Sequence, residues 1–133
     1  MGGNISNSVG VCVHPDHVKQ VWHRVDHFIR SAIDRVGLSN FDDVVDDVLC
    51  GSSLLWLVWD GEQIRGAVIT ELQEQVCIIV AYGGRLEDLH LIKTLEKYAR
   101  DEGCTKMRIL GRKGWIRVLK RYRQPYVILE KDI

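Results

Sequence analysis

The chain of 133 residues carries no repeat and no low-complexity linker, which leaves room for one domain rather than two. It lacks a run of 18 apolar residues and a leader of secretory type, so neither a membrane span nor secretion is expected. It also lacks net charge, because 18 Lys and Arg balance 18 Asp and Glu. No global field therefore draws it to nucleic acid or anionic lipid. Its four cysteines, at 12, 50, 77 and 104, include no CxxC pair. They read as reduced, mostly buried thiols of a cytosolic protein. One absence is local. From Gly103 to Leu129 there is no acidic residue, while Lys106, Arg108, Arg112, Lys113, Arg117, Lys120, Arg121 and Arg123 fall there. Asp42, Asp43, Asp46 and Asp47 stand earlier, so the molecule has an acidic segment and a basic end.

What is present is an apolar fraction of 46%, enough for a real core. Met1–Ser6 fits the myristoylation pattern, but it reads more simply as part of a flexible leader over 1–7, ahead of a domain over 8–133. Ser8–Val13 alternates as a short strand. Pro15 suits a first helical position, and Val18, Val21, Trp22, Val25, Ile29 and Ile33 repeat at three and four. That spacing predicts a helix stopped by Gly37. Asn40 caps a second helix whose aspartates form its wet face. Leu54–Trp59 and Ile64–Leu72 are strands joined through Asp60-Gly61, a hairpin signal. Val76–Ala81 reads as a buried strand, Leu86–Glu102 as a helix, Lys106–Leu110 as a strand, Gly114–Tyr122 as a short helix and Tyr126–Leu129 as a last strand. The order β-α-α-β-β-β-α-β-α-β implies an α/β domain, with a mixed, mostly antiparallel sheet and helices on both faces.

Two sets of imidazoles and thiols have metal-like spacing: Cys12, His14 and His17, and His23 with His27 at i, i+4. Structural zinc needs three or four converging ligands, and nothing completes either set, so no metal is expected.

The element order resembles the fold of the GCN5-related N-acetyltransferases (GNAT) over nearly the whole chain. The densest match runs from Val76 through Ala99-Arg100-Asp101-Glu102-Gly103 to Tyr122. The stretch Met107–Trp115, with Leu119, Tyr122 and Leu129-Glu130-Lys131, is also similar to small GNAT-like proteins of bacteriophages and prophages. The resemblance implies a reaction in which an amine attacks the thioester of acetyl-CoA directly. A base takes the ammonium proton, an acid protonates the thiolate and backbone amides hold the oxyanion. It places Tyr122 at the general acid, Glu71 or Glu74 at the base, Ala81 and Tyr82 along the pantetheine, and Gly83, Gly84 and Arg85 at the phosphates.

The sequence departs from the family in that loop. The family pattern, Q/R-x-x-G-x-G/A before the long helix, puts its glycines near Leu86 and Asp88. Glu87 and Asp88 would stabilise the helix start, yet each would repel a pyrophosphate there by about 1–4 kcal/mol. Two functions are therefore expected. The first is a non-catalytic, virion-associated assembly or interaction protein of phage type, without cofactor, in the host cytoplasm or the virion. It would meet a protein partner or a second copy through Arg112, Lys113, Arg117, Lys120 and Arg121. Nucleic acid ranks behind a protein partner, because Trp115 and Tyr122 fall on the inward face of their helix. The alternative is an acetyl-CoA-dependent N-acyltransferase acting on an amine.

Overall fold

Amphipathic spacing builds the first half of the molecule. In the computed structural model, which describes residues 8–84, 90–111 and 114–133, a strand β1 (Val9–Cys12) leads through a 3₁₀ turn at Pro15–His17 into α1 (Val18–Val36). His14 starts the turn, its Nδ1 accepting from the amide of Asp16 at 3.1 Å. The stripe Val18, Val25, Ile29 and Ile33 is buried. Gly37, at φ 75°, ends α1 by returning its amide to the Ile33 carbonyl at 2.8 Å. Helix α2 (Phe41–Leu49) is capped by Asn40, whose Oδ1 accepts from the Asp43 amide at 3.1 Å. It buries Val44 and Val48 and leaves its four aspartates exposed.

Strands β2 (Leu54–Trp59), β3 (Ile64–Gln73) and β4 (Val76–Gly84) form a meander. Helix α3 (His90–Asp101), strand β5 (Lys106–Ile109) and a single helical turn α4 (Trp115–Val118) follow. The sheet order is β1-β2-β3-β4-β5, antiparallel except for the parallel pair β4–β5. Two apolar clusters sandwich it. One joins α1 and α2 to Leu55, Ile69 and Ala81; the other joins α3 and α4 to Trp56, Val68 and Ile79. The expected α/β architecture is what the chain adopts. No described helix is long and apolar enough to cross a membrane.

Three local expectations need correction, and a fourth cannot be compared. Tyr126–Leu129 is not a strand: it pairs with no described strand, and its side chains are exposed. The last helix spans Trp115–Val118 rather than Gly114–Tyr122, because the run beyond Leu119 has no further backbone ladder than the bond from Tyr122 N–H to Leu119. Only Cys77 of the cysteines is buried; Cys12 and Cys50 are exposed, since each sits at the end of an element rather than inside one. The expected start of α3 at Leu86, and the leader over 1–7, lie outside the described residues.

Candidate active site

The site is made by a fault in the sheet. Ile69 pairs with Ala81 but Thr70 pairs with Ile79, so Val80 is an extra residue on β4. A bulge of this kind bends the strand and resets its alternation. Val80 and Ala81 both pack toward the α1 layer, and Tyr82 then turns to the α3 layer. The parallel ladder between β4 and β5 ends at the same place. Ile79 and Ile109 are its last pair, followed only by a 3.4 Å bond from the Leu110 amide to the Ile79 carbonyl. From Val80 to Gly84 no described strand lies against the β5 side of β4. The sheet is split there, β4 running on past the end of β5.

Two aromatic rings meet at this opening. Tyr82 from β4 and Trp115 from α4 stand edge to face, with centroids 5.1 Å apart at 66°. Gly111 allows it: a Cβ there would lie 2.5 Å from Trp115 Cδ1, so any side chain would push the indole away. Gly83 is buried for a different reason. A Cβ there would fall 2.1 Å from the Phe28 carbonyl oxygen, so β4 and α1 touch backbone to backbone. A Cβ on Gly84, at φ 128°, would lie 2.8 Å from the Arg65 carbonyl oxygen and 2.9 Å from the Gly66 Cα.

Tyr122 joins the α3-side cluster and donates a 2.7 Å hydrogen bond to Glu96 Oε2. Burial first, then the bond to Glu96 and its charge, push the phenol well above its ordinary range. The hydroxyl therefore stays protonated, but its proton is already committed to a carboxylate. To protonate another group it has to turn from Glu96. Glu96 escaped the sequence reading because it neighbours the inward stripe Leu91, Ile92, Leu95 and Ala99 without belonging to it. The usable signal was its place one residue after Leu95, facing the end of α4.

The other candidate residues are spread out. Glu71 is half-buried opposite Ile78. Its neighbour Thr70 bonds Trp56 in the α3 layer, so alternation turns Glu71 to the α1 face, across the sheet from Tyr122. Glu74 sits exposed in the β3–β4 turn at φ 55°, at the end of β4 away from the opening. At about 3.3 Å per residue the start of β4 at Val76, beside this turn, is already roughly 13 Å from the bulge. Arg117, Lys120 and Arg121 are exposed; Arg85, Arg112 and Lys113 lie outside the described residues. Among the described residues no group of His, Cys, Asp or Glu could hold a metal ion.

Beside the opening runs a groove of about 1260 Å³, bounded by β5, the end of α1 and the segment after α4. Glu96, Tyr122 and Trp115 all reach it. Its only described carboxylates are Glu96 and Glu130.

Solved acetyltransferase structures share this overall fold. An aminoglycoside acetyltransferase from an uncultured soil metagenomic sample superposes with a TM-score of 0.67 at 8% identity, covering 97% of this chain and 98% of that one. The fold is that of the GNAT acetyltransferases. A GCN5-related N-acetyltransferase from Ralstonia eutropha JMP134 gives 0.62 at 12% identity, over 93% and 97% of the two chains. A ribosomal-protein-alanine N-acetyltransferase from Brucella melitensis biovar Abortus 2308 gives 0.62 at 10%, over 93% and 99%. No family model and no curated protein matches the sequence. At such identities the GNAT likeness is one of fold, and the chemistry has to be argued from the residues.

Proposed function

We propose that the chain is an N-acyltransferase that uses acetyl-CoA and transfers its acyl group to an amine. The observation that carries this reading is the split between β4 and β5 at the Val80 bulge. It frees a stretch of strand edge from Val80 to Gly84, and an extended, amide-bearing chain such as pantetheine suits such an edge. Acetyl-CoA supplies the activated acyl group. The protein's share is to position it along Val80–Tyr82, to exclude water with Tyr82 and Trp115, and to manage protons.

Tyr122 is the proton source for the departing thiolate in this reading, once its hydroxyl turns from Glu96. A carboxylate takes the proton of the amine. Glu71 and Glu74 are the candidates from the sequence, and Glu96 adds a third because it lines the groove with Tyr122. Arg85, together with the amides of Gly83 and Gly84, is the proposed anchor for the phosphates. The protein works in the cytoplasm, where acetyl-CoA and reduced thiols are found together.

A second reading is favoured by the ring contact. Tyr82 and Trp115 close against each other at the mouth of the split. If they stay closed, the scaffold is non-catalytic. It then serves as a phage-type assembly protein that is virion-associated and binds a protein partner through Arg112, Lys113, Arg117, Lys120 and Arg121. Calorimetric titration with acetyl-CoA separates the two. Micromolar binding supports the acyltransferase, and an amine panel with Tyr122→Phe follows. Absence of heat at millimolar acetyl-CoA removes that reading in favour of the assembly role.

A further inference from the structure

We infer that the groove beside the split takes a peptide whose amine is followed by carboxylates, with the amine at Glu96 and the acidic part among the cations of the wall. The fate of that amine rests on the acyltransferase reading. The binding itself rests on the groove alone.

Charge is laid out unevenly along the groove. Arg35, Arg100, Lys106, Arg108, Arg121 and Arg123 line it, against the two carboxylates of Glu96 and Glu130. None of these six cations forms an ion pair among the described residues. Alternation brings three of them together. Met107 and Ile109 pack into the α3-side cluster, so Lys106 and Arg108 turn to the α1 face, where the end of α1 adds Arg35. Arg108 is half-buried, and a cation partly withdrawn from water without a partner is a site for an anion. Glu96 is half-buried as well and is fixed by the Tyr122 hydroxyl at 2.7 Å, whereas Glu130 lies in the exposed last segment. The groove thus offers one fixed negative point inside a positive wall.

Size and sign together choose the occupant. About 1260 Å³ exceeds the roughly 300–1,000 Å³ of a small-molecule pocket, so it suits several linked residues. A polyamine or a lysine-rich segment would set like charges against the wall. An acidic peptide that enters amine first puts its ammonium at Glu96 and its carboxylates at Arg35, Lys106 and Arg108. The ammonium loses one proton to water, and its nitrogen then bonds the acetyl carbon as the C–S bond breaks. Glu96 takes the second proton and Tyr122 gives its own to the sulfur. The Tyr122–Glu96 bond then returns the proton from Glu96 to the phenolate, leaving an amide and a free thiol.

Three tetrapeptides test this with the full chain: alanine followed by three glutamates, by three glutamines or by three lysines. In calorimetry without acetyl-CoA, the glutamate peptide should bind at least about tenfold tighter than the glutamine peptide, and the lysine peptide should bind weakest. Acetylating the amine of the glutamate peptide should weaken it severalfold, and Glu96→Gln should erase that difference. Thiol release with acetyl-CoA should follow the same order of peptides through KM. Arg108→Glu, and Lys106→Glu at an exposed position, should each lower the glutamate preference at least about tenfold. Equal binding of the three peptides overturns the inference, and so does indifference to the acetyl cap. A charge reversal that weakens acetyl-CoA instead of the peptide also overturns it, because the cations then serve the cofactor. Thiol release without a glutamate preference overturns the inference and leaves the acyltransferase reading standing. Glutamate-selective binding without turnover of any amine supports the groove's selectivity and removes the acyltransferase reading.

Discussion

The phenol of Tyr122 donates to Glu96 Oε2 at 2.7 Å, tying the end of the α4 region to the middle of α3. The bond has a consequence at alkaline pH. Burial and Glu96 raise the Tyr122 phenol, and burial, followed by the charge of Glu102, pushes Tyr98 up to about 12. In the unfolded chain both ionise near 10. The folded state thus keeps protons that the unfolded chain releases, so the tyrosines' share of stability is complete below pH 10 and falls as pH rises toward and past 12. Burial also pushes the Cys77 thiol up from 9 to about 11, so urea midpoints should begin to decline near pH 9, and the double change Tyr98→Phe, Tyr122→Phe should flatten only the part of the decline above pH 10. At neutral pH, Tyr122→Phe alone should cost about 1 kcal/mol, the net worth of one such hydrogen bond.

Trp56 and Thr70 make the polar contact at the heart of the α3 layer. The indole N–H donates to Thr70 Oγ1 at 3.0 Å, and the residues are 5% and 1% exposed. Thr70→Val keeps the shape and strands the N–H without water, so urea denaturation should show a loss of about 1–3 kcal/mol. Thr70→Ser, which keeps the oxygen but opens a methyl-sized gap, should lose about 1 kcal/mol.

Gly83→Ala is expected to be among the most damaging small changes in the protein. The added Cβ meets Phe28 backbone atoms at 2.1, 2.6 and 2.9 Å, and backbone cannot rotate aside as a side chain can. Moving α1 off β4 should cost about 1–3 kcal/mol, or more where the helix cannot adjust. A fall in the thermal midpoint with the circular dichroism of the folded state preserved would be the expected record. A neutral result would mean that α1 slides on the sheet more freely than its buried stripe implies.

Gly83 also shows how far the sequence could be read. As a letter it suggested an amide for phosphate; in space its hydrogen also makes room for a helix, which the letter did not show. Periodicity carried α1 and α2, because each buries one face between its own caps, and apolar runs between turn residues carried the meander. It failed for Tyr126–Leu129, whose strand-like pattern is real but which pairs with no described strand. The bulge at Val80 left no mark in Val76-Cys-Ile-Ile-Val-Ala81, since a continuous apolar run looks the same in either register. Tyr122 was legible as a partly buried tyrosine. Glu96 was not, because pairing across 26 residues has no local signature.

The ring pair of Tyr82 and Trp115 gives the most direct test of how open the split is. An edge-to-face pair contributes about 0.5–1.5 kcal/mol beyond its buried area, so a ligand that must part the rings loses about that much affinity. If acetyl-CoA enters between them, Trp115→Ala should bind it up to about tenfold tighter than the native chain, because about 1.4 kcal/mol of closure no longer opposes entry. Trp115→Phe keeps an aromatic edge against Tyr82 and should recover most of the native affinity. The comparison is made by calorimetry, with thermal midpoints measured in parallel, since the indole is partly buried and its removal also loosens the α3 layer. Weaker binding by a folded Trp115→Ala protein would reverse the assignment and make the indole a wall of the site instead of its cover.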